Sequence, residues 1–350
     1  MSGPLPGLLS PLSVPTSWLY GLAVGIRNAR FDRGSGVIRL AVPVISVGNL
    51  TVGGSGKSPM VTWVTRRLVD AGARPVIGMR GYGARTGEMS DEQLEHCGRQ
   101  PDVPVVADRD RVGGLRTLLR QNPEFNCIVL DDGFQHRRLA RNLDLVLVDA
   151  TRDTVHDRLL PRGWLREPLA SLRRADAVIV TRAQAVDDAL ATALRQWHGK
   201  PPIAWSRHAW TGLTVYDGPN RPDDVPVDWF DGKRVVTLLG IGNPESVRRQ
   251  IEAVGAVIAA NIPARDHQRY DAATLEAVKS VCKGVDAVVV TSKDWVKLRR
   301  LAAVEALPVP IVVPRLQIDV FDGADALATM IEHAVSSTLR RGPPAHVQAH

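Results

Sequence analysis

The chain has 350 residues, is 44% hydrophobic and 23% charged, and is long enough for two domains with cores of their own. Its net charge of +7 suits nucleic acid, anionic lipid or a phosphorylated substrate, and the absence of an RNP-like aromatic motif or a zinc finger argues against nucleic acid as a partner. The three cysteines, Cys97, Cys127 and Cys282, are too scattered for a zinc site or a disulfide framework, which points to a reducing compartment.

The start of the chain departs from this average. No charge occurs from Ser2 to Ile26, and Arg27, Arg30, Arg33 and Arg39 follow. A signal peptide needs the opposite order, and Pro11, Pro15 and several hydroxyl residues interrupt the run that a membrane span would need. From about Ser17, the residues Trp18, Leu19, Leu22, Ala23 and Ile26 form one stripe at helical spacing. Such a helix suits either a bilayer interface or a packing face on its own domain.

Strand-like and helical segments then alternate. Apolar runs at Pro43–Val47, Pro75–Met79, Val103–Val106, Cys127–Leu130, Leu143–Val148 and Ala177–Val180 predict strands, several without polar alternation. Helices are predicted at Ser58–Ala71, Arg109–Gln121 and Ala183–Trp197. The pattern predicts an α/β fold like that of P-loop NTPases, with a mostly parallel sheet covered by helices on both faces. Residues 201–232 are rich in proline, glycine and short alternating runs and read as a β-rich linker. A smaller C-terminal α/β domain follows, with strands at Arg234–Leu239, Ala287–Thr291 and Val309–Val313 and helices from Pro244, Ala272 and Ala324. The expected division is an N-terminal amphipathic segment (1–35), an α/β core domain (36–200), the linker (201–232), a C-terminal domain (233–338) and a disordered tail (339–350).

Two motifs carry chemistry. In the first, Pro43–Val47 feeds Thr51-Val52-Gly53-Gly54-Ser55-Gly56-Lys57-Ser58. Glycines let backbone N–H groups turn toward phosphate oxygens, and the following helix adds a positive end. Lys57 is placed for the β- and γ-phosphates, and the Ser58 hydroxyl for Mg²⁺. Thr51 stands where the standard pattern has its first glycine; Gly53, Gly54 and Gly56 supply the flexibility. In the second motif, the apolar run Cys127–Leu130 ends in Asp131-Asp132-Gly133-Phe134-Gln135-His136. A strand end beside a phosphate loop is where a Mg²⁺-binding carboxylate belongs, and adjacent acids point to opposite sides, so one of the two faces the metal. An ordinary turn is the alternative for either motif alone; together they indicate a nucleoside triphosphate, Mg²⁺ and transfer of the terminal phosphoryl group.

With these two motifs the chain resembles the tetraacyldisaccharide 4′-kinases (LpxK), from about Pro11 to Leu298. The resemblance also covers Arg80-Gly-Tyr82-Gly, Ser90-Asp91-Glu, Leu160-Pro-Arg-Gly-Trp-Leu-Arg166-Glu167-Pro, Gly240-Ile-Gly-Asn-Pro244, Asp266-His267 and Thr291-Ser-Lys-Asp294. It implies ATP and Mg²⁺ as cofactors, an acylated disaccharide phosphate lipid as acceptor, and a peripheral enzyme on the cytoplasmic face of the bacterial inner membrane, expected to be a monomer. It also implies that Asp91 takes the proton of the acceptor hydroxyl with His267 orienting it, and that Glu167 joins Ser58 and Asp132 at the metal. Arg80, Tyr82, Asp131, Gln135 and His136 are the expected substrate contacts. Without the resemblance, Asp91 reads as a helix cap, His267 as structural and Glu167 as a surface ion pair. Gln268 and Trp295 depart from the family pattern. The rival readings are a phosphate-loop kinase for another acceptor and a GTPase or ATPase switch of the SIMIBI type. The adjacent Lys293 and Asp294 have the wrong spacing for a guanine-binding motif.

Overall fold

The computed structural model describes residues 13–81, 89–218, 221–265, 268, 270–301, 304 and 307–339, without the side chains of Asp91 and 337–339. The described residues form two compact units. The first comprises those within 13–81, 96–208 and 318–339, the second those within 89–95 and 209–317.

In the first unit, β1 (Val44–Asn49), β2 (Pro75–Met79), β3 (Val105–Ala107), β4 (Cys127–Asp131), β5 (Leu143–Asp149), β6 (Ala177–Thr181) and the start of β7 (Ala204–Tyr216) lie in the order β3-β2-β4-β1-β5-β6-β7. Every pairing among them is parallel. The runs of β1, β2, β4, β5 and β6 lack polar alternation because both faces are covered, and every residue in them is buried. On one face, Ile45, Val47, Leu145 and Ile179 pack with Met60, Val64 and Leu68 of α2 (Lys57–Asp70). On the other, Val44 and Ile128 pack with Leu115 of α4 (Arg111–Gln121), and Val146 and Val178 with Leu194 of α5 (Asp188–His198).

The N-terminal helix α1 (Ser13–Asp32) also belongs to this unit. It is tied to the unit by polar contacts: Ser17 Oγ donates to the Leu159 carbonyl at 3.0 Å and Tyr20 Oη to the Arg166 carbonyl at 2.9 Å. The apolar stripe faces outward, with Trp18 70%, Leu19 58%, Leu22 50% and Ile26 65% exposed. No described helix is long and apolar enough to cross a membrane.

The second unit contains a parallel set in the order β10 (Val257–Ile262), β9 (Arg234–Leu238), β11 (Ala287–Val290), β12 (Ile311–Asp322). It also holds the antiparallel hairpin of β7 with β8 (Pro222–Val225), where Leu213 pairs with Val225. Its helices are α6 (Pro244–Ala253), α7 (Ala272–Val281) and α8 (Ser292–Leu298). The helix α3 (Asp91–Arg99) contributes residues to both units. The last segment differs from the expected division. β12 runs on past Val313 to Asp322, and α9 (Ala324–Leu339) returns to the first unit, where Leu327, Ile331 and Val335 share the core of α2. The tail 340–350 lies outside the described residues.

Candidate functional site

Asn49, the last residue of β1, organises the loop. It is fully buried, and its amide nitrogen donates to Ser55 Oγ at 2.7 Å and Thr51 Oγ1 at 3.2 Å. Its side-chain oxygen accepts from Lys57 and Arg166, and its carbonyl from Gln135 Nε2 at 2.9 Å. Gly53 (φ 100°) and Gly56 (φ 81°) hold left-handed backbone, which a side chain would strain, and Gly56 caps α2 so that Lys57 opens the helix. Thr51 and Val52 form the wall of the loop. Thr51 bridges to Leu165, and the Val52 N–H is already given to the Trp164 carbonyl at 2.8 Å. The Leu-Arg-Glu segment therefore buttresses the phosphate loop.

The acids after β4 divide as alternation requires. Asp132 takes a left-handed conformation (φ 51°), and its two oxygens each receive a 2.8 Å hydrogen bond from Arg166, with Lys57 Nζ 3.6 Å away. Burial would raise its carboxyl, but the Arg166 hydrogen bonds and the charges of Lys57, Arg166 and Arg111 hold it below the usual carboxylate range. Asp131 points to the other side. It is 4% exposed and meets the buried His96 of α3 at 2.7 Å, so it ties α3 to the sheet and is not placed for the substrate contact expected of it. Gly48 permits this turn to close, since a side chain there would begin 2.5 Å from Phe134 Cβ.

Glu167 does not fit the expected metal role. It is fully buried, and its oxygens accept from Arg27 at 3.0 Å, Asn28 at 2.9 Å and Arg174 at 2.6 Å. Arg174 in turn lies 3.7 Å over the Phe134 ring. Glu167 thus locks α1 and the Asp-Asp-Gly-Phe turn together, and the surface ion pair expected from sequence is a buried network instead. A Mg²⁺ site needs only one or two protein oxygens beside nucleotide phosphates. Asp132, an ionised carboxylate beside Lys57, and the Ser58 hydroxyl in the first turn of α2 match that donor set.

His136 lies among cations. Burial, with Arg111, Arg141, Arg138 and Arg80 nearby, pushes its imidazole down to about 4, so it is neutral at pH 7. Arg80 follows the end of β2. Tyr82 lies outside the described residues, as does His267. Asp91 is the first residue of α3, and Ser90 is the cap, its hydroxyl accepting from the Gln93 N–H at 3.2 Å. In the second unit, Asp294 is fully buried and accepts from Tyr270 Oη at 2.7 Å and the Gly240 N–H, while Lys297 donates to the Gln268 carbonyl at 3.2 Å. Residues 268 and 270 are in this way pinned by Lys297 and by Asp294 of the Thr-Ser-Lys-Asp motif. Gln268 closes a local turn with Arg265, and Trp295 packs 4.3 Å from Tyr216.

The site residues missed by sequence reasoning are Asn49, Arg111 and Arg166. Arg111 bonds the carbonyls of both Asp131 and Asp132. An asparagine at a buried strand end was a usable signal for Asn49. Arg166 stands beside Glu167 in its motif but was given no role there, and Arg111 was not distinguishable among the many other arginines.

The chain matches the family described as tetraacyldisaccharide-1-P 4′-kinase (LpxK) over residues 9–336. It is 37% identical to the tetraacyldisaccharide 4′-kinase of Geobacter sulfurreducens over 82% of this chain and 83% of that protein. Identity to the protein of the same name from Anaeromyxobacter sp. strain K is 35%, over 97% of this chain and 95% of the relative. The crystal structure of LpxK from Aquifex aeolicus in complex with ATP superposes with a TM-score of 0.72 at 28% identity, covering 93% of this chain and 99% of that one. With the phosphate loop, its acid and its buttress in place, this chain belongs to the tetraacyldisaccharide-1-phosphate 4′-kinase family.

Proposed function

We propose that this protein transfers the γ-phosphoryl group of ATP to the 4′-hydroxyl of tetraacyldisaccharide 1-phosphate, giving lipid IVA in lipid A synthesis. The observation that carries the reading is the cluster of Lys57, Asp132 and Arg166 at the mouth of the β1–α2 loop. Lys57 lies near Asp132, the Gly53 carbonyl and Asn49, all at 3.5–3.6 Å. These contacts are long, so the ammonium can turn to the β- and γ-phosphates at little cost. The backbone N–H groups from Gly53 onward are assigned to donate to the phosphate oxygens. Asp132 and Ser58 would hold Mg²⁺, which supplies charge neutralisation of the β- and γ-oxygens when bound.

Asp91 is assigned as the base. As the acceptor oxygen forms its bond to the γ-phosphorus, the bond from phosphorus to the ADP oxygen breaks, and the hydroxyl proton passes to the Asp91 carboxylate, which His267 orients. Neutral His136 and Gln135 are assigned to the acceptor side with Arg80 and Tyr82. The exposed apolar face of α1, with arginines at its end, supports a location on an anionic membrane surface, where the acyl chains reside. The inner membrane's cytoplasmic face, where ATP is found, is the assigned location.

The test is phosphate transfer from labelled ATP to tetraacyldisaccharide 1-phosphate in mixed micelles, with Lys57→Ala alongside. Product is expected from the wild type and a loss of at least about a hundredfold in the variant, since Lys57 acts on the transferring group. ATP binding without product from the wild type would remove this acceptor.

A further inference from the structure

We propose that Arg182 is a nucleoside-binding residue, whose guanidinium plane packs against the ribose and base of ATP. The proposal rests on the kinase reading and deepens it. Strand order fixes the direction in which the nucleotide lies. β1 has β4 on one flank and β5, then β6, on the other. Lys57, which takes the terminal phosphates, leans toward Asp132 at the end of β4. The triphosphate therefore begins on the β4 flank and the nucleoside extends over the ends of β5, β6 and β7.

That flank is already furnished. Arg182 directly follows β6, holds left-handed backbone (φ 56°) and places Nη2 3.8 Å from where a side chain on Gly54 would begin. A non-glycine residue in that conformation persists only where its surroundings enforce it, and such residues gather at ligand sites. The backbone on either side is pinned by the Ala150 N–H to the Thr181 carbonyl at 2.9 Å and the Ala183 N–H to the Ser206 carbonyl at 3.0 Å, and the side chain is held by Asp149, 2% exposed at the end of β5, whose Oδ2 accepts from Arg182 Nη1 at 2.7 Å. The other oxygen of Asp149 accepts from the Thr151 N–H at 3.0 Å and hydroxyl at 2.7 Å, so the carboxylate cannot swing away. His208 of β7 completes the floor, its Nε2 3.1 Å from where a side chain on Gly56 would begin.

Phosphates are the weaker candidate for Arg182. Its charge is matched by Asp149, and the loop N–H groups with Lys57 already serve the phosphates. What remains is a planar guanidinium on a side chain that is 21% exposed, which suits an uncharged ring.

The experiment measures dissociation constants for ATP and for inorganic triphosphate with the wild type, Arg182→Gly and Arg182→Lys. Glycine relaxes the left-handed backbone while removing the side chain; lysine keeps a charge for Asp149 but lacks the plane. Both variants are expected to weaken ATP about tenfold and to leave triphosphate binding within about twofold of the wild type. An unchanged ATP constant in either variant, or an equal loss for triphosphate, overturns the proposal while leaving the kinase reading intact. A wild type that binds triphosphate but gains nothing from the nucleoside also overturns it, and one that binds neither removes the kinase reading itself.

Discussion

Glu167 shows how a motif residue can be read in the right place and the wrong role. The family resemblance assigned it to the metal; the structure buries it between Arg27, Asn28 and Arg174. Burial would raise its carboxyl, yet Arg174, Asn28 and Arg27 together hold it below the usual range. Breaking a buried ion pair of this kind costs about 3 kcal/mol. Glu167→Gln is therefore expected to lower Tm in calorimetry while leaving the Mg²⁺ concentration for half-maximal turnover unchanged. A raised Mg²⁺ requirement at constant Tm would return it to the metal. Lys57, Ser58 and Asp132 were legible because loop, helix start and strand end each impose a residue type. Arg166 was not, because the partner of Asp132 depends on how the chain returns after β5, which no local pattern encodes. Asn49 lay in plain view, but its five contacts exist only once the loop is closed.

The elements follow the same division. The buried strands of the first unit were legible from apolar runs, within a residue or two at their ends. β10, outermost in its parallel set, was missed although Val257–Ile262 is apolar but for Asn261: a short run with two alanines just after a helix does not by itself mark a strand. α3 was missed because its residues are mostly polar and its hold on the first unit is the His96–Asp131 pair, not an apolar stripe. α1 was legible as a helix, and its stripe left two readings open. The structure puts the stripe on the outside and fixes the helix through Ser17, Tyr20, Arg27 and Asn28. The anchoring contacts and the exposed apolar stripe are thus on different faces. Replacing Trp18, Leu19, Leu22 and Ile26 by serine is expected to reduce sedimentation with anionic vesicles at least about tenfold, because each buried side chain contributes roughly 1.5–3 kcal/mol. Tm should stay unchanged. Removing residues 1–28 instead would also strip Glu167 of two partners, so the truncation would confound stability with membrane binding.

Across the whole molecule, buried titratable groups set the response to acid. His136 and His208 are both pushed down to about 4 from the ordinary 6.5, chiefly by burial, with neighbouring arginines adding to it. The unfolded chain takes up these protons first. Their contribution is therefore complete above pH 6.5 and is lost as the pH falls toward 4, on the order of 3 kcal/mol at His208 alone. Asp132 and Glu167, whose carboxyls are depressed, extend the loss to lower pH. Tm is expected to be flat from pH 8 to 7 and to drop steeply between 6.5 and 4.5, and His208→Asn should flatten part of that drop. A flat profile throughout would mean that neither imidazole is held neutral. A different consequence follows from the path of the chain. Ile318, Leu327, Ile331 and Val335 sit in the same core as Ile45 and Met60, although hundreds of residues separate them in synthesis. A ribosome has therefore delivered the phosphate loop long before it delivers the last layer that covers the loop's helix. A nascent chain must wait, incompletely packed, until α9 has left the ribosome before it can bind nucleotide in its native form.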